Sequence, residues 1–311
     1  MYKKFYLLIS LICILSCIYL FIDLDFSTYI LKKRILELCS IVLVSFSISV
    51  STIIFQTITN NKILTPSIIG LDSLYVLIQT LLVFFLSSSN ISVINQEINF
   101  IISLFCMVVF TLVFYKVLFK SNINIYYILL LGLVFGALFS SLSLFFEVLI
   151  DPNEFMVVQG RMFASFNNIQ IKLILLSFFI LCAILLLMLK DFKYLDVLSL
   201  GRDNAINLGA PYDYFVKKNL IFIAILISVS TALVGPITFL GLLVVNITYE
   251  LMKTYKHKVL ISFAILVCIF VVLSGVFITS KVFNFNTTIS VVINFLGGIY
   301  FIYLVLKGHR I

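Results

Sequence analysis

The stretch from Asn219 to Met252, NLIFIAILISVSTALVGPITFLGLLVVNITYELM, decides the fold. Its 34 residues are apolar apart from scattered hydroxyls, two asparagines and one late glutamate. Crossing the hydrocarbon core of a bilayer takes about 20 residues of helix. The stretch is therefore too long for one crossing and short for two. Gly235-Pro236 interrupts it near the middle. Either two short helices cross, or one crosses and a re-entrant piece follows. A Gly-Pro break is tolerated at membrane depth only where protein or a wet cavity satisfies the freed backbone groups.

Composition places the whole chain in lipid. Of 311 residues, 63% are hydrophobic and 11% charged, against about 45–50% and 25% in soluble domains. Further apolar runs cover roughly 5–22, 35–58, 63–86, 98–117, 123–149, 169–189, 259–280 and 289–306. The first follows Lys3 and Lys4 like a signal peptide. Asp23-Leu24-Asp25 stands where a small-residue cleavage site would be, so the run reads as a retained first span. The net charge of +8 sits between apolar runs, as topology requires and nucleic-acid binding does not.

Charge settles the crossing number. With Gly235-Pro236 dividing two spans, and the N-terminus inside, inner segments hold fifteen Lys and Arg against six outside. That matches the positive-inside rule. A single crossing would put Lys253, Lys256 and Lys258 outside and nearly erase the bias. The expected fold is an all-α polytopic membrane protein with about ten transmembrane helices and both termini cytoplasmic. It forms a single domain, 1–311. Two segments exceed a turn. The outer loop, 150–168, reads as a short surface helix. The inner segment, 190–218, holds a short helical stretch between Gly201 and Gly209, with Asp203 and Asn204 as candidate caps and Pro211 as the stop.

Few residues could carry chemistry. No G-x-x-x-x-G-K-[ST] is present, so no P-loop binds ATP. His257 and His309 read as positive-inside charges. The six cysteines lie inside apolar runs and make no C-x-x-C pair. No catalytic set is clustered, so the chain does not read as an enzyme. Polar residues within spans need a reason. Ser45, Ser47, Ser49 and Ser51 give small faces for close helix packing. Gly132 and Gly136, four apart, with Ser140, form either a packing face or the wall of a translocation path. Gln56 ends the second span. Asp72, just past Gly70, must be paired, wet or protonated.

Four ordered segments then resemble one family. Gln56-Thr57-Ile58-Thr59-Asn60-Asn61-Lys62-Ile63-Leu64-Thr65-Pro66-Ser67-Ile68-Ile69-Gly70 resembles the Q-x-x-x-x-N-P-L-A-x-P-x-x-L-G signature of the iron-chelate permeases of ABC importers, which serve ferric siderophores and vitamin B12. Lys62 replaces the usual proline. Asp151-Pro152-Asn153-Glu154-Phe155 and Met162-Phe163-Ala164-Ser165-Phe166-Asn167 resemble the outer loop of a catecholate-siderophore subgroup. Leu200-Gly201-Arg202-Asp203-Asn204-Ala205-Ile206-Asn207-Leu208-Gly209 is similar to the family's coupling element. Val234-Gly235-Pro236-Ile237-Thr238-Phe239-Leu240-Gly241-Leu242 is similar to its A-G-P-I-x-F-V-G-L run. The resemblance spans about residues 34 to 307.

The resemblance implies a vitamin B12 importer permease-like fold. It implies a second permease subunit, either a related paralogue or a second copy of this chain. Two separate ATPase subunits and an extracytoplasmic siderophore-binding protein complete the assembly. No cofactor would be bound here: ATP sits on the partner subunits and iron travels as its chelate. Gly201, Arg202, Asp203, Ala205, Leu208 and Gly209 would couple to the ATPase. Lys33, Arg34 and Lys281 would dock the receptor, with Arg34 at the first arginine of an R-x-P-R motif and Glu37 at its second. Gln56, Asp72, Gly132, Gly136 and Ser140 would line or pack the path. The rival class is an ion-coupled secondary transporter, which uses charged residues at mid-membrane.

Overall fold

The computed structural model describes residues 2–22, 28–87, 95–119, 125–167, 169–189, 191–283 and 287–308. Asp23-Leu24-Asp25, His309 and part of the 116–122 segment lie outside the described residues. Within the described residues every regular element is a helix. In chain order these are α1 (Tyr2–Phe21), α2 (Thr28–Thr59), a 3₁₀ turn (Pro66–Ile69), α3 (Leu71–Leu86), α4 (Gln96–Phe119), α5 (Ile125–Leu149) and α6 (Pro152–Met162). There follow α7 (Ile171–Met188), α8 (Phe192–Leu198), α9 (Arg202–Asn207), α10 (Tyr212–Val234), α11 (Leu240–Met252), α12 (His257–Lys281) and α13 (Ile289–Gly308). Seven of these are long and apolar enough to cross a membrane, and α3, α11 and the Ile289–Tyr303 part of α13 are shorter apolar helices. Ten apolar helices thus stand where the sequence places ten spans.

Helix α2 is the centre of the bundle. From Ser47 to Thr59 every residue is buried, whichever way it faces. It packs against α10, α11, α12 and α7. An all-round contact needs small side chains on several faces, and Ser40, Ser45, Ser47, Ser49 and Ser51 have no exposed surface. A Cβ on Gly241 of α11 would stand 2.3 Å from Thr52 Oγ1, so the Thr52 side chain lies directly on the Gly241 backbone.

The stretch from 219 to 252 is two helices. Helix α10 ends at Gly235, which adopts a φ of +97°. The outer loop supplies what the break needs: Ser165 N–H donates to Val234 O at 2.8 Å, and Ala164 N–H donates to Ser290 Oγ at 3.1 Å. The freed carbonyl is satisfied by protein. A Cβ on Gly235 would meet Phe163 O at 3.1 Å, so the loop lies directly on the break.

The ends of the bundle sort as the charge count requires. At one end Lys4 Nζ donates to Leu251 O at 2.8 Å, and Asn60 lies beside Gly201. Asp196 of α8 meets His257 there. The start of α1, the end of α2, α8, α9 and the α11–α12 turn therefore share one end, the end assigned as inner. The α1–α2 junction, α6, the Gly235 break and the start of α13 belong to segments assigned as outer.

Candidate coupling and translocation surfaces

The inner segment folds as two short helices, α8 and α9. Leu195 and Leu198 are buried to 0% and 1% exposure and Ala205 to 0%, which seats both helices on the bundle. Lys218 and Asp191 form an ion pair at 2.7 Å that ties the start of α8 to α10. Gly201 caps α9 with a φ of +91°, and Gly209 follows it at +78°. Asp203 and Asn204, expected as caps, lie inside the first turn instead. Asn204 Nδ2 donates back to Leu200 O at 2.8 Å. Pro211, expected as a stop, opens α10: its fixed φ suits a helix start. Arg202, Asp203, Ile206, Asn207, Leu208 and Gly209 are exposed around buried Ala205. Ile206 and Leu208, at 46% and 64% exposure, give this polar face an apolar centre, the composition of a docking patch.

The small face of α5 is turned inward. A Cβ on Gly132 would stand 2.9 Å from Ile69 Cα, and one on Gly70 would stand 2.7 Å from Gly136 Cα. Gly70 is also left-handed, with a φ of +84°. Gly132 and Gly136 therefore receive the 3₁₀ turn and the glycine that follows it. Thr80 Oγ1 and Ser143 Oγ continue the contact at 2.9 Å. Ser140 is exposed and donates to Ser73 Oγ at 3.1 Å. The open face of α5 lies beside it and runs through Leu133, Val134, Leu138, Ser141, Leu144 and Val148.

Gln56 and Asp72 are held by local bonds. Gln56 Nε2 and Asn246 Nδ2 both donate to Lys62 O, at 2.8 and 3.0 Å. They pin the turn after α2, which explains a glutamine in a buried position. Asp72 lies in the first turn of α3, where a carboxylate is favoured by the helix dipole, and accepts from Thr231 Oγ1 at 3.4 Å. With Thr52, Ser67 and Thr238 it lines a cavity of about 10 Å³, the room of about one water. A larger cavity of about 170 Å³ lies under the outer loop, lined by Tyr75, Asn99, Arg161, Ser165 and Asn167 among others. At its wall Arg161 Nη1 donates to Gln79 Oε1 at 2.7 Å. No sequence motif pointed to this cavity, because its residues come from five separate segments.

Two assignments change at the ends. Arg34, expected at the receptor surface, turns its guanidinium onto the end of α1. Its Nη1 donates to Tyr19 O, Leu20 O and Ile22 O at 3.0, 2.9 and 2.6 Å. It satisfies carbonyls that a helix end leaves open. Glu37 is buried and accepts from the Tyr19 hydroxyl. Lys32 is exposed and Lys33 half-buried, so the outer basic patch reduces to these two, with Lys281 half-buried at the end of α12. His257, expected as a solvated charge, is only 2% exposed. Its Nδ1 meets Asp196 Oδ1 at 2.6 Å, and its Nε2 meets Thr57 Oγ1 at 2.8 Å. A histidine among lysines gave no sign of burial, since both partners are distant in sequence.

A model of the FecCD transport family matches residues 6–307. The chain is 54% identical over 308 residues to the petrobactin import system permease protein YclO of Bacillus subtilis (strain 168), covering 99% of this chain and 98% of that protein. It is 26% identical over 286 residues to YclN, another petrobactin import system permease protein of the same organism, covering 88% of this chain and 85% of that protein. Among solved structures, an inward-facing metal-chelate type ABC transporter superposes with a TM-score of 0.84 at 20% identity, over 98% of this chain and 99% of that one. The chain belongs to the FecCD transport family, and it is a multi-pass permease of the bacterial plasma membrane and not an enzyme.

Proposed function

We propose, from that family membership, that this chain is one of two permease subunits of an ABC importer for an iron-siderophore complex of the catecholate class. The observation that carries the reading is the 54% identity to YclO across 99% of the chain. The geometry supports it. The α8–α9 pair presents an apolar centre ringed by polar residues at the inner end, suited to an ATPase subunit. ATP-driven approach of two such subunits moves this pair as a rigid body. The exposed face of α5 is apolar with Ser140 and Ser141 on it, and it suits the second permease subunit and the path between the two. Such a path passes a bulky chelate without a deep binding well, because it offers weak contacts and no fixed charge. YclO and YclN carry the same system name, which supports a heterodimer with a paralogue of this chain. Iron remains within its chelator, so the protein supplies no metal ligand, and the receptor docks outside near Lys32, Lys33 and Lys281.

Uptake of radioiron tests the substrate class. Cells with this chain deleted are supplied with ferric petrobactin or with a ferric hydroxamate. Loss of petrobactin-iron uptake alone, restored by the gene in trans, is the expected result. Undiminished petrobactin-iron uptake with loss of the hydroxamate would overturn the assignment.

A further inference from the structure

Asp196, His257 and Thr57 form a continuous chain of contacts between the coupling segment and the central helix, in which His257 and Thr57 are buried and the Asp196 side chain is half-exposed. Asp196 Oδ1 accepts twice from residue 257, from its backbone N–H at 2.8 Å and from the ring at Nδ1, 2.6 Å away. The far ring nitrogen, Nε2, reaches Thr57 Oγ1 at 2.8 Å. Thr57 Oγ1 also lies 2.8 Å from Ile53 O, one turn back in α2. Asp196 belongs to α8, two residues before α8 ends and six before α9 begins. Three elements that the sequence keeps far apart are joined through one imidazole.

The order carboxylate, imidazole, hydroxyl is that of a hydrolytic triad. Here it cannot work as one. Thr57 is 6% exposed and His257 2% exposed, and the hydroxyl faces its own helix, so no substrate reaches it. The protons also balance without chemistry. The Thr57 hydroxyl has one proton. If that proton goes to Ile53 O, Nε2–H donates to Thr57 and the ring is doubly protonated. If the ring is neutral, the hydroxyl proton turns to Nε2. The chain of contacts is unbroken in both states.

Its position gives it a purpose. Apolar contacts between helices allow small sliding motions, whereas a hydrogen bond weakens steeply when bent. Just past the end of α2 the coupling segment makes a looser approach: a Cβ on Gly201 would stand 3.6 Å from Asn60 Nδ2. Burying Thr57 and His257 is costly unless each is bonded, and here both are. Resting on the reading of this chain as an ABC importer permease, we infer that Asp196, His257 and Thr57 are positioning residues that transmit the ATP-driven displacement of α8–α9 to α2. They form a rigid strut between the coupling segment and the helix at the centre of the transport bundle.

The test uses the complete importer in proteoliposomes, reading iron-chelate uptake and ATP hydrolysis together. Thr57→Val keeps the side-chain shape and removes the hydroxyl, while Thr57→Ser keeps the hydroxyl. Thr57→Val is expected to hydrolyse ATP while uptake per ATP falls severalfold, up to about tenfold, the scale of one net hydrogen bond. Thr57→Ser should restore the ratio. Asp196→Ala should lower it similarly, and Thr57→Val with Asp196→Ala together should lower it no further, because either change severs the same strut. Wild-type uptake per ATP in Thr57→Val would overturn the inference, as would losses that multiply in the double variant. Failure of the wild-type importer to use ATP would instead overturn the importer reading, so the two failures are distinct.

Discussion

Replacing Gly70 or Gly132 with alanine tests the packing at the heart of the bundle. In Gly132→Ala the new methyl stands 2.9 Å from Ile69 Cα, which is backbone and cannot rotate away. Helix α5 or the 3₁₀ turn must shift. Overpacking of this kind costs about 1–3 kcal/mol, against a gain of about 1 kcal/mol from the better helix propensity of alanine. The net expectation is a loss of about 0–2 kcal/mol. Gly70→Ala is worse. Its methyl stands 2.7 Å from Gly136 Cα, and its φ of +84° adds a left-handed penalty. That penalty is about 1–2 kcal/mol, with no helix gain, so the total is about 2–5 kcal/mol. Gly298 is the control: nothing lies within 4 Å of a methyl there, and Gly298→Ala should be neutral or slightly stabilising. Thermal unfolding of the purified permease in nanodiscs reads all three. Stability in the order Gly298→Ala, Gly132→Ala, Gly70→Ala is expected. Gly70→Ala as stable as wild type would refute the backbone contact between the turn and α5.

Other outcomes check the remaining assignments. Single cysteines at positions 207 and 256, both exposed, in a cysteine-free background should label only from the inner side, and one at 153 only from outside; outer labelling at 256 would contradict the two-helix reading of 219–252. Ala205→Pro removes a donor and clashes inside α9, so uptake should be lost while membrane insertion stays normal, measured by immunoblot and transport together. Lys32→Glu with Lys33→Glu should slow receptor association at low salt, since rim charges act mainly on association rate; unchanged rates in a stopped-flow assay would leave these lysines as headgroup anchors. Arg34→Gln should lower the unfolding midpoint without a matching change in receptor association, because its guanidinium holds the end of α1.

Hydropathy alone made the helices legible, because a bilayer forces every spanning backbone group into a helix and leaves a simple apolar record. The Gly235-Pro236 break was legible too, and its charge arithmetic agrees with the grouping of ends in the structure. What covers the break was not, since Ser165 lies some seventy residues earlier. Gly132 and Gly136 announced a close approach by their spacing, but not that Gly70 fills it, because a left-handed turn residue has no periodic signal. Arg34 and His257 were misplaced for a common reason. A charged residue near a span end reads as topology, and only three-dimensional contact separates a helix cap or a buried strut from a solvated charge. The short helix proposed for coupling was legible in its bracketing glycines. Its caps were missed because a positive-φ glycine can start a short helix as well as end one.

The central claim is that separate ATPase subunits drive this permease. Reconstitute this chain with the partners proposed for it, a paralogous permease, two ATPase subunits and a receptor, and measure uptake of a ferric catecholate chelate. The account predicts uptake that requires ATP, stops when the ATPase subunits are omitted, and persists when ionophores collapse every ion gradient. Uptake without ATPase subunits that disappears with the ion gradients would contradict it.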